Sequence, residues 1–249
     1  MINVLINGCN GKMGKEIAKQ ISKTDNMYVA AGVDILDLGD NKFPVYSNTD
    51  DIKEEIHVII DFSIPKATMN ILEYANKKHI PIVIATTGFN DEEKEKILEY
   101  SKNIPIFQSA NMSLGINLMI KLLEQVSKVL KDGYDIEIVE KHHRNKIDSP
   151  SGTALMLADS IKNSLENDVY YEYNRQAKRE KRNNNEIGIH SIRGGNIVGN
   201  HSVSFIGENE SLEIVHDVTS RSVFAEGAVK AAEYITYKEN GMYSMKDLV

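Results

Sequence analysis

Residues 1–107 alternate short β-branched runs with segments of helical period, and few folds accept that rhythm. Ile2–Ile6, Tyr28–Val33, His57–Asp61, Pro81–Ala85 and Ile104–Phe107 read as strands. Between them, Lys15–Lys23 places Ile17, Ala18 and Ile21 at helical spacing. Pro65 opens a helix through Lys78, because proline is tolerated in a first turn. Asn90, followed by Asp91, Glu92 and Glu93, reads as the N-cap and acidic first turn of a helix to about Lys102. Strands alternating with helices predict an α/β domain whose parallel sheet is covered on both faces.

The pattern then changes. Leu114–Lys131 is a long amphipathic helix with apolar Leu118, Leu122, Val126 and Val129 on one face. Asp135–Glu140 alternates like a half-buried strand, and Ser151–Leu165 reads as a helix. Ile187–Arg193, Ile197–Ile206 and Ser211–Val218 follow as strands. Gly194-Gly195-Asn196 and Gly207-Glu208-Asn209-Glu210 separate them and are hairpin signals. A last helix spans about Val223–Tyr237. The second half therefore predicts a second, α+β domain built on a mostly antiparallel sheet. Its two long helices can cover one sheet face, so the other is expected to be buried against further copies of the chain.

Composition narrows the partners. Apolar residues are 41% and charged residues 26%, as in an ordinary soluble protein, and 29 basic against 36 acidic residues leave −7. Such a balance argues against nucleic acid or an anionic membrane as partner. The most apolar stretch, Met112–Leu130, is interrupted by Lys121, Glu124 and Lys128, so no membrane span is expected. Cys9 is the only cysteine, which excludes an internal disulfide and a cysteine-rich zinc module. The opening MINVLINGCNGKMG lacks a basic region ahead of its apolar run, and a cytoplasmic protein is the expectation.

Gly8, Gly11 and Gly14 stand between the first strand and its helix. Glycine there lets the backbone turn sharply and approach a pyrophosphate, whose charge the helix N-terminus stabilises. Asp34 lies twenty residues past Gly14, at the end of the second strand, where an acid can accept hydrogen bonds from ribose hydroxyls. Together these predict a Rossmann-like dinucleotide-binding domain. Ala85-Thr86-Thr87-Gly88 and Ser109-Ala110-Asn111-Met112 follow the fourth and fifth strands, where ligands of open parallel sheets sit.

The densest constellation is Glu140–Thr153, EKHHRNKIDSPSGT. Adjacent histidines on a strand end point to opposite faces, and no cysteine or carboxylate cluster completes a metal site, so no metal is expected. A group titrating near neutrality, a cation four residues on and a helix N-terminus instead describe a proton donor beside an anion site. Extended chain would hold His142 and Lys146 about 13 Å apart at ~3.3 Å per residue, so sharing one substrate requires a turn between them. The basic run Arg175–Arg182 reads as a solvated loop, or else as a lid or a site for an acidic ligand.

In order and spacing, GCNGKMG, ATTGF, QSANMSLGIN, EKHHRNKIDSPSGTAL and SRSVFAEGAVKAA resemble the 4-hydroxy-tetrahydrodipicolinate reductase (dihydrodipicolinate reductase) family of the diaminopimelate route to lysine. The resemblance covers essentially the whole chain, and the H-H-R-x-K-x-D-x-P-S-G-T block is its specific part. It implies a nicotinamide-dependent oxidoreductase reducing a carbon–carbon double bond conjugated with an imine. His142 and Lys146 would then be the proton donors, and His143, Gly152 and Thr153 would hold substrate carboxylates. Gly8, Cys9, Asn10, Gly11, Lys12, Met13, Asp34, Ala85, Thr86, Thr87, Ser109, Ala110, Asn111 and Met112 would bind the cofactor. Residues 1–113 and 221–249 would form the dinucleotide-binding domain, and residues 114–220 the substrate-binding and oligomerisation domain of a homotetramer. Family members that also use NADPH often carry arginine after the acidic residue. Here Asp34 is followed by Ile35, so NADH is the expected cofactor and NADPH the alternative. Asn145 replaces a common third histidine. Another reductase on the same scaffold, or a dinucleotide-sensing regulator without turnover, are the rival readings.

Overall fold

β1 (Ile2–Asn7) is buried along its whole length, as a strand flanked on both sides and covered on both faces must be. The computed structural model describes residues 1–165 and 168–249, which divide into two units. Met1–Leu114 with Arg221–Val249 make the first, and Gly115–Ser220 the second.

After β1 the first unit continues with α1 (Lys12–Ile21), β2 (Met27–Val33), β3 (Val45–Tyr46), β4 (Val58–Asp61), α2 (Pro65–Lys78), β5 (Ile82–Ile84), α3 (Asp91–Tyr100) and β6 (Pro105–Gln108). The chain leaves for the second unit through α4 (Leu114–Val129), β7 (Asp135–His142), α5 (Gly152–Ser164), β8 (Tyr170–Glu172), β9 (Glu186–Arg193), β10 (Gly199–Ile206) and β11 (Ser211–Val218). It returns in α6 (Ser222–Ile235) and β12 (Gly241–Tyr243).

Among the described residues, the first sheet has the order β12-β6-β5-β4-β1-β2-β3, with every pairing parallel. From β1 the chain moves outward to β2 and β3, then crosses back to β4 on the other side. This reversal between β1 and β4 opens the crevice in which doubly wound sheets hold ligands. Alternate residues of the central strands feed two cores. Val4, Ile6, Val58 and Ile60 pack with Ile17 and Ile21 of α1 and Ala228, Ala232 and Ile235 of α6. Leu5, Ile59, Ile82 and Ile84 pack with Ile71, Leu72 and Ala75 of α2 and Ile97 of α3. Pro65 sits in the first turn of α2. Asn90 and Glu93 close a full capping box on α3, with both hydrogen bonds at 2.9 Å. The two- and three-residue strands β3 and β12 escape a reading by periodicity because they are too short to show one.

The second sheet corrects the expectation of a mostly antiparallel one. Among the described residues its order is β11-β10-β7-β9-β8, with two antiparallel pairings (β11–β10, β10–β7) and two parallel ones (β7–β9, β9–β8). Gly194-Gly195-Asn196 does not make a hairpin. β7 lies between β9 and β10, so this segment spans the end of β7, where Gly194 N–H donates to His142 O (2.9 Å) and Arg144 N–H to Gly195 O (3.2 Å). The turn after Gly207 does form the β10–β11 hairpin.

The face of α4 is also corrected. Ile116, Met119, Ile120 and Leu123 are its buried apolar side chains, packed with Ile138, Phe205, Leu157 and Ile161, and of the expected stripe Val126 packs partly against the same core. Leu118, Leu122 and Val129 remain 48%, 41% and 79% exposed. The basic run is tied down by ion pairs rather than loose. Arg175 pairs with Glu186, Lys178 with Glu172, and Arg182 with Asp135, Glu137 and Glu186. Arg182 also donates to the Ile136 and Glu186 carbonyls (3.0 and 2.6 Å), pinning the loop to the starts of β7 and β9.

Candidate active site

In the first unit the site grows from the ends of β1, β2, β4 and β5. At the turn after β1, Gly8 has φ +79°, and a Cβ on it would lie 2.6 Å from the Phe62 carbonyl oxygen. A Cβ on Gly14 would lie 2.3 Å from the Gly8 oxygen and 2.7 Å from Cys9 Cα. Helix and turn can be this close only without side chains. α1 begins at Lys12 with Gly11 at its cap position and no side-chain cap, which leaves the helix N-terminus facing the turn. Lys12 is exposed and Met13 half-buried.

Asp34 closes over this turn. Its carboxylate accepts Asn10 N–H (2.9 Å) through Oδ2 and Ile35 N–H (2.8 Å) through Oδ1. Asn10 further donates to the Leu36 carbonyl (2.6 Å) and accepts from Asn41 (2.8 Å). A cavity of about 910 Å³ opens here, lined by Gly8, Gly11, Asp34, Ile35, Ser63 and Tyr74 among others. A glycine cradle, an uncapped helix N-terminus and an acid at the next strand end fit a dinucleotide. Cys9 contributes backbone only. Its thiol is buried, and that burial, followed by the charge of Asp34, pushes it up to about 12.

The neighbouring loops are ordered from within. Asp61, fully buried at the end of β4, accepts from Asn7 Nδ2 (2.6 Å), Ser63 Oγ (2.5 Å), Thr68 Oγ1 (2.7 Å) and Thr86 Oγ1 (2.7 Å). The Thr86 hydroxyl thus faces inward, while Ala85 is half-buried and Thr87 exposed. Ser109 donates to the Asn111 carbonyl (2.9 Å), and Asn111 Oδ1 accepts Ser113 N–H (2.9 Å), making Ser109–Met112 a self-bonded turn. Ala110 is exposed on it, and Met112 is buried in the first core. Sequence reasoning missed Asp61. The signal was a row of small polar residues, Asn7, Asp61 and Thr86, at three adjacent strand ends.

The second unit assembles the other constellation at the carboxyl end of β7. Glu140 and His142, two apart, share the buried face of the strand. Glu140 is fully buried, and its carboxylate accepts His142 Nδ1 (2.6 Å), both Arg193 terminal nitrogens (2.8 and 2.7 Å) and Ser151 N–H (3.1 Å). Burial alone would raise the Glu140 carboxyl, but hydrogen bonds from Arg193, His142 and Ser191 outweigh it and hold the group at about 2. Burial pushes the His142 imidazole below its usual range, against the pull of Glu140.

His143, half-buried, follows at the strand end, and its carbonyl accepts Lys146 N–H (3.1 Å). That bond is the turn which sharing a substrate requires. Lys146 pairs with Asp148 (2.8 Å), and its charge acts on His142. Ser151 caps α5, accepting Ala154 N–H (3.2 Å), with Gly152 exposed and Thr153 half-buried in the first turn. The Ser151 hydroxyl also meets His201 Nε2 (3.1 Å), whose ring stands edge-on to His142 at 5.2 Å. Glu140, Arg193 and His201 were not singled out from sequence. Arg193 and His201 lie fifty or more residues from their partners, and strand register alone brings them there.

A doubly wound sheet with a glycine cradle, joined to a mixed-sheet unit that buries an acid–imidazole pair, defines a two-unit oxidoreductase of dinucleotide-binding architecture. Comparison with known proteins makes the assignment specific. Residues 2–112 match the family described as dihydrodipicolinate reductase, N-terminus, and residues 115–249 the family described as dihydrodipicolinate reductase, C-terminus. The chain belongs to the dihydrodipicolinate reductase family. It is 52% identical over 249 residues to the 4-hydroxy-tetrahydrodipicolinate reductase of Caldanaerobacter subterraneus subsp. tengcongensis, covering 100% of this chain and 98% of that one. The corresponding protein of Clostridium novyi is 45% identical with the same coverage. The dipicolinate-bound dihydrodipicolinate reductase of Paenisporosarcina sp. TG-14 superposes with a TM-score of 0.84 at 25% identity, each chain fully covered. A myo-inositol dehydrogenase of Corynebacterium glutamicum shares the fold at 13% identity and a TM-score of 0.60, covering 97% of this chain and 90% of that one.

Gly14→Ala should damage the cradle and the first unit together. The methyl group must displace the Gly8 carbonyl, and such overpacking costs about 1–3 kcal/mol. Each kcal/mol is worth roughly 2–4 °C in Tm for a unit of this size. An unchanged melting temperature by calorimetry would contradict the close approach described.

Proposed function

We propose that the protein reduces 4-hydroxy-tetrahydrodipicolinate to tetrahydrodipicolinate in the diaminopimelate route to lysine, with NADH as preferred reductant. The observation that carries the reading is His142, held by Glu140 at the end of β7 with Lys146 turned back toward it. Gly8 through Met13, Asp34, Ala85–Thr87 and Ser109–Met112 hold the dinucleotide. Its chemistry, when bound, is hydride delivery to the carbon–carbon double bond that remains, conjugated with the ring imine, once the 4-hydroxyl has left as water. His142 supplies the proton to the adjacent carbon, assisted by Lys146. His143 and the α5 start at Gly152 and Thr153 hold the substrate carboxylates, where helix N–H groups and cations stabilise negative charge. The name of the dipicolinate-bound relative supports a small dicarboxylate as the ligand class.

Purified protein, coupled to the synthase that makes the unstable substrate, should oxidise NADH. His142→Gln should lower kcat by about 100–10,000-fold, the usual contribution of a positioned general acid, with little change in NADH binding. Lys146→Ala should be at least as harmful, since it removes a donor and a charge. Near-normal turnover with collapsed NADH binding would move the block into the cofactor site.

NADH should be preferred over NADPH. Asp34 retains lone pairs for the ribose hydroxyls beyond the two backbone N–H groups it already accepts. A 2′-phosphate forfeits a charged hydrogen bond worth ~1.5–3 kcal/mol, and each 1.4 kcal/mol is about tenfold. Lys15 is engaged with Asp40 (2.8 Å), leaving Lys12 and Lys42 as cations that could soften the bias. Ile35, 85% exposed, offers the phosphate nothing, so Ile35→Arg should improve NADPH use with little effect on NADH. kcat/KM for both cofactors decides, and a wild type favouring NADPH severalfold would assign the site to Lys12.

The assembly proposed is a homotetramer. On the sheet face away from α4 and α5, Ile192, Ile206 and Val215 are 46%, 43% and 55% exposed. Aliphatic side chains on a sheet face left open in one chain support burial against other copies. Light scattering should give about four times the 27.9 kDa chain mass, and a stable monomer at micromolar concentration would refute it.

A further inference from the structure

Arg193 ends β9 directly opposite His142 in the parallel register. Its guanidinium makes a two-pronged bond to both oxygens of Glu140 and also donates to the Asp148 carbonyl (2.6 Å). Asp148 belongs to the turn that carries Lys146 and is itself paired with it (2.8 Å). One side chain therefore touches the carboxylate behind His142 and the segment behind Lys146. The fork fits the carboxylate as a planar bidentate pair, a geometry that lysine cannot reproduce.

The orientation of His142 follows from the same contacts. Glu140, held ionised, can only accept, so Nδ1 must carry the proton toward it. Nε2 is then the nitrogen left to act. It lies beside Gly199, where a Cβ would come within 3.2 Å of it, so the absence of a side chain at position 199 keeps Nε2 clear.

We infer that Glu140 and Arg193 form a positioning pair for proton transfer: Glu140 fixes His142 as the Nδ1–H tautomer with Nε2 outward, and Arg193 locks Glu140 to the Lys146 turn. Both act through His142 and the Lys146 turn. The inference rests on the reading of His142 as proton donor. The charged and titratable groups facing the imidazole are Glu140 from its own strand, Arg193 from β9, His201 from β10, and Lys146 from the following turn. Glu140 raises its proton affinity, while Arg193 and Lys146 lower it, and the two rings discourage each other's protonation.

Those opposed signs make a test that a purely structural role would not satisfy. Protein with ¹⁵N-labelled histidine is titrated by NMR, and the pH dependence of kcat/KM is followed in parallel. In the wild type, His142 should report the Nδ1–H tautomer above its titration midpoint. Glu140→Gln should move that midpoint down by about 1 pH unit or more, and Arg193→Met should move it up, because each removes a charge within a few ångströms. The kcat/KM profiles should shift in the same directions, with turnover reduced at least about tenfold in each variant. Arg193→Lys should restore the midpoint but not the rate, since it returns the charge without the fork. A wild-type ring in the Nε2–H form overturns the inference without any variant, so a variant that fails to fold leaves it decidable. Variants whose midpoints stay at the wild-type value also overturn it. Failure of the underlying reading looks different: His142→Gln would keep its turnover while the wild-type ring still titrates as the Nδ1–H form.

Discussion

A carboxylate taken out of water must be met by donors, and each unit of this chain is organised around one such group. Asp61 and Glu140 are both fully buried. An unsatisfied buried charge would cost several kcal/mol, a large share of a typical domain's stability. The surrounding chain is therefore committed to supplying hydrogen bonds. Around Asp61 the donors come from the ends of β1, β4 and β5 and from the first turn of α2. Around Glu140 they come from β7, β9 and the α5 cap. The two answers differ in kind. Among the described residues Asp61 has only neutral donors, and burial pushes its carboxyl up against their pull. Glu140 has a guanidinium fork and settles at about 2. The first group fastens loops. The second is a fixed negative charge beside a titrating ring.

What could be read from the sequence follows the range of each signal. Pro65, the Asn90–Glu93 capping box and the glycine turn are local, and structure and sequence agree on them to within a residue or two. The class of the first unit was legible because central parallel strands are apolar on both faces, as in Val58–Asp61 and Ile82–Ile84. The second sheet was misread at Gly194-Gly195-Asn196, because turn chemistry looks alike whether the next strand lies adjacent or one strand farther away. The α4 face was misread because both of its faces are aliphatic. Periodicity finds a stripe there, but only the neighbouring sheet decides which stripe is buried. Glu140 was visible as the first residue of the His-rich block, yet its role depends on Arg193, which register alone brings there.

Charge tells a similar story. The run Arg175–Arg182 stands out in an acidic chain, and its Arg175, Lys178 and Arg182 meet acids of the protein's own sheet. Clustering in sequence here goes with pairing to the protein's own sheet. Cys9 illustrates the converse. It sits within the glycine turn, where a reactive thiol would be conspicuous, but its sulfur points into the core. A Cβ on Gly32 would come within 2.6 Å of it. The thiol acts as a small apolar side chain, and only its backbone belongs to the cradle.

On the proposed reading, the low resting charge of the His142 region is itself informative. Burial holds the His142 imidazole below its usual range, and His201, pushed down to about 4 by burial and by His142, is neutral at physiological pH. A ring that rests largely neutral must gain proton affinity before it can act as an acid. The charges already present nearly cancel: Glu140 is matched by Arg193, and Lys146 by Asp148. A dicarboxylate arriving beside them disturbs that balance in one direction, adding negative charge within reach of the ring. The added charge strengthens the hold on a proton at Nε2, against the desolvation that lowers it. On this reading the donor gains proton affinity from the charge of its own substrate. This requires the balancing charges to stay fixed while the substrate comes and goes, which is what a buried carboxylate held by a guanidinium fork provides.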